Sequence, residues 1–227
     1  MPPDETELLA GLRLAGVSEP VAERLAAYGA LLLEANTKVN LTGAKSATAL
    51  LPHLLDALTL ADDVRETLVD VGSGGGLPGI PLAIATGARV LLVEPIAKKA
   101  AFLERALAEL GLDGAVAAER AEIAARDERY REQFAFGTAR AVSRASTVAE
   151  LTVPFIRVGG RVLLQRAAIE VAERQALEDA APMLGAALIE ERALDGERRI
   201  LVLEKVRPTE YRFPRRNGVP EKRPLCL

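Results

Sequence analysis

Residues 68–85 read LVDVGSGGGLPGIPLAIA. Five residues, Leu68 to Gly72, have the length and apolar character of a buried strand interrupted by one acid, Asp70. Then come glycines at 72, 74, 75 and 76, and an apolar stretch of helical length. A strand, a glycine-rich turn and a helix in immediate succession make the first unit of an open α/β sheet, whose ligands bind at the carboxyl ends of the strands. Glycines there let the chain turn with positive φ and bring main-chain N–H groups close to a ligand.

Outward from this stretch the pattern repeats. Apolar runs of strand length fall at 68–72, 89–94, about 115–118, 136–141 and 161–165, separated by helical segments, which predicts a parallel sheet covered on both faces. Two more strand-like runs, AALIEE at 186–191 and RRILVLEKV at 198–206, flank Asp195-Gly196, a hairpin signal that makes the last two strands antiparallel. The first 60 or so residues are instead helical. Asp4 followed by Glu7 suggests a capped first helix, Ser18 a cap for the second, and ATALLPHLLDALTLADD a third, bent or restarted at Pro52. The expected domains are a helical segment over 1–60 packed on the core, the sheet domain over 61–206, and a basic tail over 207–227.

At 227 residues, 49% hydrophobic and 27% charged, the chain can bury one sizeable core. No apolar stretch reaches the roughly 18 residues that span a bilayer, and MPPDETELLAGLRLAG lacks the basic and apolar regions of a signal peptide, so a cytoplasmic protein is expected. With one cysteine, Cys226, and one histidine, His53, neither a disulfide nor a Cys/His metal cluster is expected. The net charge of −3 is uneven: Lys205 to Leu227 carry seven Lys or Arg against Glu210 and Glu221, a net of +5, leaving −8 for the rest.

The glycine loop fits two templates. Gly74-x-Gly76-x-x-Gly79 with Glu94 downstream fits a dinucleotide fingerprint, whereas Asp70-x-Gly72-x-Gly74-x-Gly76 resembles class I methyltransferases that use S-adenosylmethionine. A bare strand-to-helix turn is the bland alternative, but it would gain nothing from so many glycines. The terminal hairpin decides for the methyltransferase class, because a dinucleotide fold would end on a parallel strand. A dehydrogenase would also need a second domain for which the chain has no length. Glu94, with Pro95 beside it, then ends the second strand where a carboxylate can accept hydrogen bonds from both ribose hydroxyls, as opposed to being a solvated strand end. Asp70 either contacts the ligand's amino end through water or fixes the loop.

The resemblance extends further. KVNLTG (38–43), HLLDALTL (53–60), DVGSGGGLPGIPL (70–82), KKAAFLERALAELGL (98–112), RAEIAARD (120–127), ARAVSRASTVAEL (139–151), LDGERRILVLEK (194–205) and the tail YRFPRRNGVPEKRPL are similar, in order, to the small-subunit ribosomal RNA methyltransferase G family. The resemblance implies a seven-stranded class I fold, S-adenosylmethionine as cofactor, and methylation of N7 of a guanine in 16S rRNA or the small ribosomal subunit. It also carries over Gly72, Leu77, Ala121, Glu122 and Arg140 as cofactor contacts, with Ala121-Glu122 flanking the adenine. Glu94 stands where the family commonly has Asp, and Gln165 and Arg166 stand where it has a lysine and a small residue.

Arg140 and Arg144 read as a cationic edge between cofactor and RNA, against the plainer reading of solvated charges at a helix start; Lys98 and Arg120 face the same choice. Arg215, Arg216, Lys222 and Arg223 place the tail in RNA docking and not in cofactor capture, as an extended segment ordered by phosphates. His53, Asp56 and Asn40-Leu41-Thr42 read as structural, His53 following Pro52 at a helix start. No catalytic residue is singled out, no metal is expected, and a monomer is expected. A small-molecule methyltransferase and a noncatalytic RNA-binding protein remain the alternatives; the basic tail argues against the first, and the intact glycines with Glu94 against the second.

Overall fold

The computed structural model describes residues 2–140 and 143–226. Three helices, α1 (Pro3–Leu14), α2 (Glu19–Asn36) and α3 (Ala47–Leu58), precede β1 (Thr67–Val71), α4 (Gly79–Thr86), β2 (Arg89–Val93), α5 (Ala97–Glu109) and β3 (Gly114–Ala117). Then follow α6 (Ala121–Ala124), β4 (Phe134–Ala139), α7 (Ala145–Thr152), β5 (Ile156–Arg166), α8 (Val171–Ala180), β6 (Ala186–Ala193), β7 (Arg199–Lys205) and α9 (Val219–Lys222). The seven strands lie in the order β3-β2-β1-β4-β5-β7-β6. The first five are parallel, and β7 runs antiparallel to both β5 and β6. The predicted fourth strand reached 141, which lies outside the described residues.

Strand order reverses between β1 and β4, and at such a switch point the crossovers leave to opposite sides and open a crevice at the strand ends. The glycine loop leaves β1 at that place. β1 is buried on both faces, so it shows no polar alternation except Asp70. Leu68 belongs to a core shared with α1–α5, whereas Val69 and Val71 belong to a second core with α6–α8. The amino-terminal helices build the first of these cores: Tyr28, Leu32, Leu50 and Leu54 are fully buried in the same cluster as Ile80 and Leu82.

The β6–β7 hairpin turns as Asp195-Gly196 predicts, with Gly196 at φ 66° and the Leu194 N–H donating to Arg198 O at 2.9 Å.

Three local expectations are corrected. Helix α1 starts at Pro3 with Pro2 as its cap, because proline is preorganised for the first helical position; Asp4 sits inside the first turn, where its charge meets the positive end of the helix dipole. Helix α3 is capped by Ser46, whose Oγ accepts from the Ala49 N–H at 3.3 Å, and it runs through Pro52 without restarting. His53 therefore lies mid-helix and not at a helix start. The third concerns the tail. Phe213, Pro220 and Leu225 are buried, with Phe213 and Leu225 in the second core. Arg131, itself buried, donates to the carbonyls of Thr209 and Phe213 at 2.8 and 3.0 Å. The segment is packed, not extended, because three apolar side chains and a row of satisfied carbonyls outweigh its low helical propensity.

Candidate functional site

Each residue of the glycine loop is fixed from below. Gly72 and Ser73 donate their N–H groups to Val93 O at 2.9 and 3.1 Å, which pins the loop to the end of β2. Ser73 Oγ donates to Asp70 O at 2.8 Å, and the buried Tyr28 hydroxyl donates to Gly75 O at 2.7 Å. Asp70 Oδ2 accepts the Gly79 N–H at 3.0 Å, at the first residue of α4. Through this bond Asp70 fixes the loop; it is completely buried, and its Oδ1 has no hydrogen-bond partner among the described residues. Burial pushes its carboxyl up to about 7, opposed by the Gly79 bond and by the field of Arg140.

The glycines divide by what a side chain would meet. At Gly76 a Cβ would strike Ile80 and Leu103, and at Gly79 it would strike Asp70, so these two serve close packing. Gly74 shares the positive φ of Gly76, +58° against +96°, but the nearest atoms to a Cβ are 3.9 Å away, so its open face looks into the crevice. The Gly74 N–H is in turn held by Glu94 Oε2 at 2.9 Å, while Glu94 Oε1 accepts from the Ile96 N–H at 2.8 Å. Each carboxylate oxygen keeps a second lone pair.

Two cavities meet at Gly72. The smaller, about 140 Å³, is lined by Val71, Gly72, Val93, Pro95, Arg120, Ala121, Glu122, Ser143, Thr147, Leu151 and Glu221. The larger, about 950 Å³, runs past Ser73, Gly74, Gly75 and Leu77 to Thr42, Pro52, His53, Asp56, Lys99, Arg140, Gln165, Arg166 and Arg198. Its far wall is built by Asn36, whose Oδ1 accepts the N–H groups of Leu41 and Thr42 at 2.8 and 3.0 Å while its Nδ2 donates to Thr42 O and Ala44 O. Asp56 Oδ2 lies 3.8 Å from Arg140, and its other oxygen pairs closely with Arg198. Burial and the nearby Arg140 lower the His53 pKa, so its ring is neutral at pH 7.

Of the residues singled out from the sequence, Gly72, Pro95, Arg120, Ala121 and Glu122 gather around the small cavity, and Gly72, Gly74, Leu77 and Arg140 around the large one. Asp70, Gly76 and Glu94 support the loop and line neither. Lys98 and Arg144 are exposed and line neither; the neighbouring Lys99, about 100° further round α5, points into the large cavity instead. On the tail, Arg216, Lys222 and Arg223 are exposed, but Arg215 is committed to the fully buried Glu150 at 2.6 Å. Lys205 is also lost to the surface: it is buried, 2.9 Å from Glu132 and 2.7 Å from Thr209 Oγ1. Glu221, also on the tail, lines the small cavity. Tyr28, Asn36, Thr147 and Arg198 were not singled out from the sequence; Thr147 and Arg198 lie within the family-like stretches 139–151 and 194–205, whereas Tyr28 and Asn36 stand in no recognisable pattern.

The family described as "rRNA small subunit methyltransferase G" matches residues 21–202 of the chain. The chain belongs to this family. Relatives bearing the name Ribosomal RNA small subunit methyltransferase G include one from Rubrobacter xylanophilus, 41% identical over 86% of this chain and 81% of its own length. Another, from Roseiflexus sp. strain RS-1, is 40% identical over 95% of each. Among solved structures, a putative RNA methyltransferase from Pyrococcus horikoshii has a TM-score of 0.53 at 15% identity, covering 78% of this chain and 98% of that one. A geranyl diphosphate methyltransferase in complex with GPP and sinefungin has 0.53 at 17%, covering 72% and 81%. These likenesses show the class I methyltransferase fold. With the family comes S-adenosylmethionine as cofactor, and the crevice fits it: a loop whose central glycine presents an open face, a mainly apolar slot on one side, and a wide cavity carrying charged side chains on the other.

Proposed function

We propose that the protein methylates N7 of a guanine in 16S rRNA, acting on the small ribosomal subunit or its RNA as a cytoplasmic monomer. The observation that carries this reading is the charge of the large cavity. Among the described residues Lys99, Arg140, Arg166 and Arg198 line it with one carboxylate, Asp56, and Glu173 lies 3.5 Å from Arg166, in a chain whose net charge is −3. Four cations beside a methyl-donor site suit a polyanion, and guanine O6 is an acceptor that an arginine donor matches while N7 stays free. A neutral metabolite would have no use for them.

The cofactor, when bound, supplies an electrophilic methyl group. In this assignment the slot between Val71, Pro95, Ala121 and Leu151 would hold the adenine, the spare lone pairs of Glu94, buried at the end of β2, would accept from the ribose hydroxyls, and Gly74 and Leu77 would hold the amino-acid end. Arg140, on the large cavity, would add a cation on the side where the RNA enters. Guanine N7 carries a free lone pair, so it needs no base to remove a proton. The chain's task is alignment: packing the nucleophile in line with the methyl group and holding water out. Exposed Lys98, Arg144, Arg216, Lys222 and Arg223 would meet the phosphates around the modified base, with half-buried Arg120 beside them at the mouth of the small cavity.

The test is methyl transfer from tritiated S-adenosylmethionine to 16S rRNA, to small subunits and to a panel of small guanine compounds. Label at a guanine N7 of the rRNA is expected. Label on another atom, or on the small compounds alone, would refute the proposal.

A further inference from the structure

The carboxyl-terminal segment touches the small cavity at four points. The Gly218 N–H donates to Glu122 Oε1 at 2.8 Å, and Thr147 Oγ1 donates to Pro220 O at 3.1 Å. Arg120 stands between two carboxylates, 3.7 Å from Glu122 and 3.8 Å from Glu221, and Glu221 itself lines the cavity. Three slot residues, Arg120, Glu122 and Thr147, therefore use a polar group on the tail. Glu122 is only 6% exposed, so a nearly buried carboxylate relies on the tail for its main-chain donor. Without that donor it would draw in water or turn away, because a buried charge left unpaired is costly.

We infer that residues 217–226 are the closing wall of the cofactor slot and a determinant of cofactor affinity, with Gly218 positioning Glu122 and Glu221 holding Arg120 at the mouth. The inference rests on the assignment of the slot to the adenine. A nucleoside in the slot and a docked tail stabilise each other, and thermodynamic reciprocity makes the effect visible from both sides. The tail is anchored upstream independently of the slot: Arg131 holds the carbonyls of Thr209 and Phe213, and Arg215 pairs with Glu150. Ending the chain after Arg216 consequently removes the wall and leaves those anchors in place.

The experiment compares full-length protein, a chain ending at Arg216, and Ala121→Leu, which fills the slot. S-adenosylhomocysteine affinity is measured by calorimetry, with thermal melting as the check on folding. Hydrogen exchange of peptides covering 218–225 is followed in the full-length protein with and without that ligand. Truncation is expected to weaken binding about tenfold, a typical coupling between linked sites, and saturating ligand to slow exchange in 218–225 by about fivefold. Ala121→Leu is expected to lose binding. If Ala121→Leu binds normally, the slot assignment falls and the inference with it. If Ala121→Leu loses binding while the truncated chain binds within about twofold of full length and exchange is unchanged, the slot assignment stands and the closing wall is overturned. Should the truncated chain fail to fold, exchange decides alone: slowing by ligand supports the wall, and no slowing overturns it.

Discussion

Asp70 is a carboxyl held where water cannot reach it, and replacing it by asparagine should change how stability depends on pH. Its folded pKa is raised from 3.8 to about 7, with burial as the main cause. The folded state therefore binds a proton that the unfolded chain has already lost, and the stabilisation it brings is complete below pH 3.8 and gone above pH 7. At 1.36 kcal/mol per pH decade the full change has an upper bound of about 4 kcal/mol, of which about 2.5 kcal/mol falls between pH 5 and 8. The side chain introduced by Asp70→Asn would keep an amide oxygen for the Gly79 N–H and would not titrate. Any offset from its buried amide nitrogen is independent of pH. Urea denaturation followed by circular dichroism at pH 5, 6, 7 and 8 should thus show the variant gaining on the wild type by about 2.5 kcal/mol across the range, at constant m. A gap that stays constant within about 0.5 kcal/mol would refute the assignment of Asp70 as a protonated structural group.

Gly74→Val should abolish S-adenosylmethionine binding in calorimetry while the protein still folds, since a β-branched residue resists φ +58° and its side chain would enter the crevice; affinity within threefold of wild type would contradict the loop's role. Tyr28→Phe should cost about 1 to 3 kcal/mol, because it leaves the buried Gly75 carbonyl without its donor, and denaturant midpoints will show whether it does. Arg140→Ala and Arg144→Ala should each reduce methyl transfer to rRNA with little change in melting temperature, the larger loss at Arg140, which alone of the two lines the cavity; full activity in both would return them to ordinary surface charges. Because Lys205 and Arg215 are engaged inside the molecule, Arg216, Lys222 and Arg223 are the tail cations to test together. Their combined replacement by alanine should flatten the slope of log K against log salt for RNA binding by about 2, on the single-strand scale.

Local pattern was sufficient for the parallel sheet, the glycine turn after β1 and the closing hairpin, because strand length, turn chemistry and apolar runs are written within a few neighbouring residues. The glycines showed that something special happens at 72–79, but not why each one is there. Gly76 and Gly79 answer to Ile80, Leu103 and Asp70, contacts that exist only once α4 is folded back on the sheet, whereas Gly74 answers to the crevice. Charge counting likewise gave the stretch from Lys205 to Leu227 seven cations and no hint that Lys205 and Arg215 would be consumed by Glu132 and Glu150. Those pairings join residues 65 and 73 positions apart, and no spacing rule reaches so far. The tail's place against the slot and the Asp56, Arg140 and Arg198 cluster belong to the same class. The order and kind of the elements could be read from neighbouring residues, since propensity and periodicity are local. Which charges face the crevice and which are buried against each other follows from the folded chain alone, because a charge finds its partner across the chain when apolar burial brings distant segments together.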